Sequence, residues 1–427
     1  MKTPAQTLGR QAVGCEGTHG VFPKCNLACT PCYHSRDANR VRVDGRHTQE
    51  AVRDQMRLLR TQRGPRAHAQ LIGGEVSLLP ASDHAATLQI MREHGREPMS
   101  MSHGDFDYDY LEALALGPDG RPQFDRLSFA GHFDSMMFGR RGIPRPPDER
   151  SLNSYRSAFV ERFARLRREH GVQSFLAHNM TVTASNIDQI AGVVRDCGRM
   201  GFGLFSFQPA AFVGDERRWR DNDAHVTSDD VWRQIEAGAG VRLPYGAFVH
   251  GDVRCNRTTY GFYVGEVYRP LLDDQNPADL RVRDAFHEHL AGITFEATPL
   301  PLLVIKVARV IARHPSVLQA FAGWFLRTSR AVGPVNLARF GVRPVTFVMH
   351  SFMDARVVKP AWEAMQRGEQ LEEPRLAEAQ QRLAACSYAM AHPETGALVP
   401  ACVQHSVLDP IANIELRKQL PLTVLAG

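Results

Sequence analysis

The chain has 427 residues, a formal net charge of +5 and 43% hydrophobic content, enough for a substantial core in two domains or in one large domain with an appendage. Eight cysteines are far too few for a disulfide scaffold, and so mild a charge does not point to nucleic acid. The opening residues Met1-Lys2-Thr3-Pro4-Ala5-Gln6 hold no apolar signal-peptide core, so a cytoplasmic protein with reduced thiols is expected.

The first stretch with chemical content is Lys24-Cys25-Asn26-Leu27-Ala28-Cys29-Thr30-Pro31-Cys32-Tyr33. A tight turn through it can point three sulfurs at one centre, and thiolates are the ligands that hold zinc or iron–sulfur clusters. A structural zinc needs a fourth ligand close by, and His34 is the nearby candidate. Three thiolates on a four-iron cube instead leave one iron open to a substrate or cofactor. A zinc loop and a chance cluster are the competing readings.

Beyond this loop, Thr48 to Arg63 carries Val52, Met56 and Leu59 at helical spacing, an amphipathic helix. Ala69-Gln70-Leu71-Ile72-Gly73-Gly74-Glu75-Val76 reads as a strand ending in a glycine pair, where backbone can approach a ligand. The alternation continues with a helix over 81–93, a strand over 98–103, a helix over 109–116 and a strand over 126–133. A helix over 152–169, a strand over 175–183, a helix over 186–200 and a strand over 203–207 follow. About six such units up to residue 245 imply a parallel sheet in an α/β protein.

The cysteine loop resembles the signature of the radical SAM superfamily, Cys-x3-Cys-x2-Cys followed by an aromatic. That resemblance implies a partial (β/α)6 TIM-type barrel over residues 21–245, after an extension over 1–20. It implies that Cys25, Cys29 and Cys32 hold a [4Fe-4S] cluster whose open iron binds S-adenosylmethionine, with Tyr33 near the adenine. Reductive cleavage then releases a 5′-deoxyadenosyl radical. Gly73-Gly74-Glu75 is similar to the family's second motif, which contacts the methionine amino group. Asn179 and Gln208 sit where family members contact the adenosyl moiety. In such barrels the ligand site lies at the carboxyl ends of the strands, which makes His103, Asp105, His132 and Asp134 the substrate-side candidates.

Residues 246–427 are expected to form an α-rich auxiliary domain. Ala391 to Val399 reads as a hairpin that brings Cys386 and Cys402 together. With Cys255 they suggest a second iron–sulfur cluster or a mononuclear iron, with Cys15, His350, His392 or His405 as a fourth ligand; unligated structural cysteine is the alternative. Ala297 to Met353 contains no Asp or Glu but has Lys306, Arg309, Arg313, Arg327, Arg330, Arg339 and Arg343. Its two helices, over 300–330, are interrupted by charge before the ~20 apolar residues of a spanning helix. They fit either helices lying in a membrane interface or core helices with solvated arginines.

Met349-His350-Ser351-Phe352-Met353-Asp354, with Cys386, Leu398-Val399-Pro400-Ala401-Cys402 and Ser206-Phe207-Gln208-Pro209-Ala210, resembles the tetraether lipid synthase group and its radical methylase relatives. Val348 stands where that group has a cysteine. The resemblance implies a lipid or other hydrophobic substrate and a ferredoxin or flavodoxin as electron donor. Other readings are a methylase of a small molecule, a peptide maturase, or a non-catalytic iron–sulfur or zinc protein. The expected location is cytoplasmic, with peripheral contact at the inner membrane surface.

Overall fold

The computed structural model describes residues 16–34, 44–64, 67–213, 219, 226–290, 293 and 300–412. Cys15, one of the candidate fourth ligands, lies outside them.

The first half alternates strand and helix. In order come β1 (Glu16–Gly17), β2 (Ala28–Cys29), α1 (Gly45–Arg63), β3 (Ala67–Leu71), α2 (Ala81–Glu93), β4 (Arg96–Ser102) and α3 (Tyr108–Ala115). Then follow β5 (Arg126–His132), β6 (Met137–Phe138), α4 (Asn153–His170), β7 (Gln173–Val182), α5 (Ile190–Cys197), β8 (Leu204–Pro209) and α6 (Ser228–Ala239). Local chemistry sets the helix ends. Asp44 caps α1 by accepting the His47 N–H at 2.9 Å, and α4 stops at Gly171, whose φ of 73° is left-handed and favours glycine.

β1, β3, β4, β5, β7 and β8 lie side by side, all parallel, in chain order. This is the open (β/α)6 arrangement. Phe129, Phe133, Phe159, Phe163, Phe202 and Phe205 are fully buried and fill its main core. At the amino end of the strands, Glu16 of β1 and Arg96 of β4 form a buried ion pair at 3.0 Å.

The second half contributes β9 (Asn256–Val264), β10 (Val267–Pro270), α7 (Pro277–Ala285), α8 (Leu300–Arg313), α9 (Pro315–Val332), α10 (Pro334–Phe340) and β11 (Arg343–His350). After them come α11 (Ala355–Gln366), α12 (Pro374–Ala384), β12 (Ala389–His392), β13 (Ala397–Pro400) and α13 (Ala401–Val403). It is helix-rich, and the hairpin expected between Cys386 and Cys402 is present as β12–β13. It also extends the barrel sheet, which the sequence reading did not anticipate. β11 joins β8 in parallel and β12 joins β1 in parallel, so the parallel run reaches eight strands within an 11-stranded sheet. β1 itself falls in the stretch read as an extension.

The sheet curves far enough for its two sides to meet. His350, at the end of β11, and Tyr388, next to β12 on the opposite side of the sheet, line the same cavity.

Candidate functional site

The cysteine loop is anchored from two directions. β2, which contains Cys29, pairs antiparallel with β6, and Thr30 N–H donates to Met136 O at 3.2 Å. On the other side, Gly74 N–H donates to Phe22 O at 2.6 Å and Glu75 N–H to Lys24 O at 2.8 Å. The glycine pair is what permits this. A Cβ on Gly74 would lie 2.3 Å from Lys24 O and 2.4 Å from Pro23 O, and one on Gly73 would lie 2.6 Å from Phe22 O. The close backbone approach read from Gly73-Gly74 is therefore made by the chain's own entry into the cysteine loop.

Cys25, Cys29 and Cys32 come together. The Cys29 thiol is pushed well up, first by its hydrogen bond with Cys32, then by burial and by the neighbouring Cys32, Asp134 and Cys25. Bound metal would have to displace that proton. Among the described residues these sulfurs, with any His, Asp or Glu atom, do not form a set of three all within 4.8 Å. A tetrahedral zinc would need a fourth ligand beside the three thiolates. His34, the zinc reading's extra ligand, instead lies against the Tyr33 ring at 4.6 Å with its Nε2 buried and unpartnered among the described residues. Tyr33 donates its hydroxyl to Gly73 O at 3.1 Å, and its ring meets His405 at 4.6 Å.

Glu75 is fully enclosed. Oε1 accepts from Ser77 N, Ser77 Oγ and Ser102 Oγ, and Oε2 accepts from His103 N at 2.7 Å. Burial alone would raise its pKa, but His103 and these donors hold it below the usual range. His103 takes the Asp105 backbone N–H on Nδ1 at 3.0 Å. The neutral ring therefore carries its proton on Nε2, which bonds Asn26 Oδ1 at 2.7 Å. Burial lowers its pKa. Asp105 is half-buried, and Oδ2 accepts Arg141 N–H at 3.1 Å.

His132 and Asp134 form a second pair, Nε2 to Oδ2 at 2.7 Å, with Thr181 Oγ1 at 3.2 Å. Asp134 also accepts the backbone N–H of Met136 and of Thr181. Burial works against charge on His132, but Asp134 outweighs it and raises the His132 pKa. The loop carrying Asp134 is braced from behind. Glu149 accepts Ser135 N at 2.7 Å and Arg156 Nη2 at 2.8 Å, and Arg156 Nη2 also reaches Phe133 O at 3.1 Å.

Asn179 is buried in β7, in register with His132 of β5 and Ser206 of β8; Ser206 is in register with Val348 of β11. Residues in register on parallel neighbours share a face. Gln208 pairs with Thr181 two positions further on, on that same face.

Two residues were missed by the sequence reading. Asn26, inside the cysteine loop, is the partner of His103. Arg140 is buried; its Nη2 bonds His132 O at 3.2 Å, while Nε and Nη1 have no partner among the described residues. Burial lowers its pKa, opposed by Asp105, Asp134, Cys29 and Glu75 around it. In sequence, Arg140-Arg141-Gly142 looks like a solvated turn, and no periodicity marks it.

Cys255, Cys386 and Cys402 line one cavity of ≈ 50 Å³ together with His250, His350 and Arg382. Arg382 Nε donates to Cys255 Sγ at 3.1 Å. Burial pulls His250 and His350 down to about 4 and pushes Cys402 up to about 12. Of the other candidate ligands, His392 is engaged by Glu394 and Gln404, and His405 by Asp409 at 2.8 Å.

No protein-family model and no curated protein matches the chain. Solved structures with some likeness include anSMEcpe with bound AdoMet and the Cp18Cys peptide, at 16% identity over 52% of this chain and 57% of that one, TM-score 0.33. SuiB of Streptococcus suis is similar at 16% identity over 52% of this chain and 45% of that one, TM-score 0.35. TYW1 with a lysine–pyruvate adduct is similar at 13% identity over 50% and 70%, TM-score 0.33. The chain thus spans about half the length of the first of these structures.

Proposed function

We propose that the chain is a radical S-adenosylmethionine enzyme. The observation that carries the reading is the convergence of Cys25, Cys29 and Cys32 beside Asp134 and Arg140, next to the carboxyl ends of β4 and β5. When bound, a [4Fe-4S] cluster and S-adenosylmethionine supply a 5′-deoxyadenosyl radical that abstracts hydrogen from an unactivated C–H. The chain binds, orients and excludes water. The three cysteines hold the cluster and Tyr33 walls the adenine side. The carbonyls of Gly73 and Gly74 are acceptors for the methionine ammonium, and Glu75, enclosed among its own donors, holds that turn against the loop after β4. Asn179 and Gln208 face the adenosyl moiety, and Arg140 offers to an anion its Nε and Nη1, which have no partner among the described residues. His103, Asp105, His132 and Asp134 lie on the substrate side, and the substrate is a lipid or another hydrophobic molecule. A ferredoxin or flavodoxin supplies the electron to this cytoplasmic enzyme. The test is anaerobic incubation of reconstituted protein with S-adenosylmethionine and dithionite. Release of 5′-deoxyadenosine, read by mass spectrometry, is expected, and its absence from protein carrying a full cluster would remove the reading.

A second iron site belongs to the same proposal. Its support is that Cys255, from one end of the second half, and Cys386 and Cys402, from the β12–β13 region, line one cavity with His350. Soft sulfur donors with imidazole suit iron, as a cluster or as a single ion.

A further inference from the structure

Helices α8, α9 and α10 carry a large apolar surface that none of the described residues covers. α8 has no buried residue, although ten of its fourteen are Leu, Val, Ile or Ala. Leu300 is 72% exposed, Phe325 61% and Val335 76%; Val304, Ile305, Leu318, Leu326, Phe340 and Val342 are also exposed. Monomeric soluble proteins rarely leave so many large apolar side chains together in water without a use for them.

The arrangement is amphipathic in a second sense. On α8 the exposed apolar residues Val304, Ile305, Ala308 and Ala312 form a stripe, and Arg309 and Arg313 flank it. On α9, Leu318, Ala322, Phe325 and Leu326 form another, with Arg330 beside it. The inner face of α9 is the part that holds the protein. Val317 and Val332 are buried, Phe321 and Trp324 pack on Leu272 and Val282, and Trp324 Nε1 donates to Leu271 O at 2.7 Å. Trp324 is thus an anchor to the fold and is not available as an interfacial aromatic.

Charge decides what covers the outer face. No acid occurs from 297 to 353. Arg327 is paired with Asp279 at 2.5 Å, and Arg339 and Arg343 lie over the rings of Phe340 and Tyr263. Lys306, Arg309, Arg313 and Arg330 have no ion-pair partner among the described residues. A second copy of the chain packed through the same face would bring these cations against themselves. Among the described residues no helix is long and apolar enough to cross a bilayer.

We infer that the outer face of α8–α10 docks on an anionic lipid surface, with its apolar stripes in the headgroup–acyl boundary and the four unpaired cations at the headgroups. The inference does not depend on the reaction the protein performs.

Flotation of the full chain with vesicles of mixed phosphatidylcholine and phosphatidylglycerol, against phosphatidylcholine alone, tests it. Binding to the anionic vesicles, weakened by salt, is expected. Arg309→Gln/Arg313→Gln should weaken it about thirtyfold. Phe325→Ser/Leu326→Ser should also weaken it with net charge unchanged, and neither variant should alter the thermal unfolding midpoint. The inference is overturned if the wild-type chain stays with the soluble fraction, or if it binds neutral vesicles equally well. It is also overturned if light scattering finds a dimer that Phe325→Ser/Leu326→Ser splits and that ignores vesicles, since a second copy would then own the face.

Discussion

The carboxylate of Glu75 accepts the backbone N–H of His103 at 2.7 Å, which ties the glycine-pair turn after β3 to the loop after β4. All the groups around Glu75 are donors: two from Ser77, one from Ser102, one from His103. A glutamine would turn an NH2 toward one set of them. Glu75→Gln is expected to cost about 1–3 kcal/mol, the penalty of a buried donor left facing donors. Urea denaturation measures this, and an unchanged midpoint would mean the carboxylate is not held as described. Because the Glu75 pKa is lowered, its stabilising share is present above the usual carboxylate range. It is lost as pH falls through the lowered value.

His84 gives a separate acid dependence. It is fully enclosed between Tyr110 OH and Ser100 Oγ, each at 2.9 Å, and burial pulls its pKa down to about 4. In the unfolded chain a histidine titrates near 6.5. Between those values the unfolded state binds more protons, so stability must drop as pH falls from about 6.5 to about 4. The thermal midpoint is expected to fall across that window, and His84→Gln should make the fall shallower. His132, whose pKa is raised, acts in the opposite direction, and its share fades as pH rises. An identical pH profile in His84→Gln would refute the assignment.

Gly74→Ala tests the seat of the cysteine loop. The new methyl would stand 2.3 Å from Lys24 O, and a backbone carbonyl cannot step aside as a flexible side chain can. Overpacking of this kind costs about 1–3 kcal/mol, and the segment leading to Cys25 would have to move. A lower melting temperature together with lower iron content after reconstitution is expected. Normal values for both would show that the loop tolerates displacement.

The alternation of strands and helices from β3 to β8 was legible because its strands are short segments bounded by turn residues and its helices carry apolar stripes; the two-residue strands β1, β2 and β6 leave no such pattern. α2 is Ala81–Glu93, as periodicity alone places it. The strands that the second half adds were hidden for a physical reason. β11 follows three apolar helices directly, so its own Val, Phe and Met do not set it apart from them, and β9 follows a stretch that reads as loop. Local pattern cannot tell which partner such a strand pairs with: β11 lies against β8, about 140 residues earlier, and against β9, about 80–94 residues earlier. The cysteines were legible by spacing. Arg140 was not, since only burial beside Asp105 and Asp134 distinguishes it from a surface arginine. Burial is a property of the packed fold.

The two proposed iron sites can be separated by counting. Cys25→Ala/Cys29→Ala/Cys32→Ala removes three thiols from a loop that keeps its other anchors, the β2–β6 pairing and the Gly74 and Glu75 N–H bonds. The fold should therefore persist, and its circular-dichroism spectrum checks that. About four irons should be lost, with all 5′-deoxyadenosine formation. Iron held by Cys255, Cys386 and Cys402 should remain, because that cavity is lined by residues 250–256, 350–353, 382–388 and 401–402 and by none from the first loop. Adding Cys255→Ser and Cys402→Ser should then bring iron to zero. If iron is already absent after the first three changes, the second cavity is a structural cluster of thiols around Arg382. If 5′-deoxyadenosine still forms in that triple variant, the first loop does not hold the reactive cluster, and the enzyme reading falls with it.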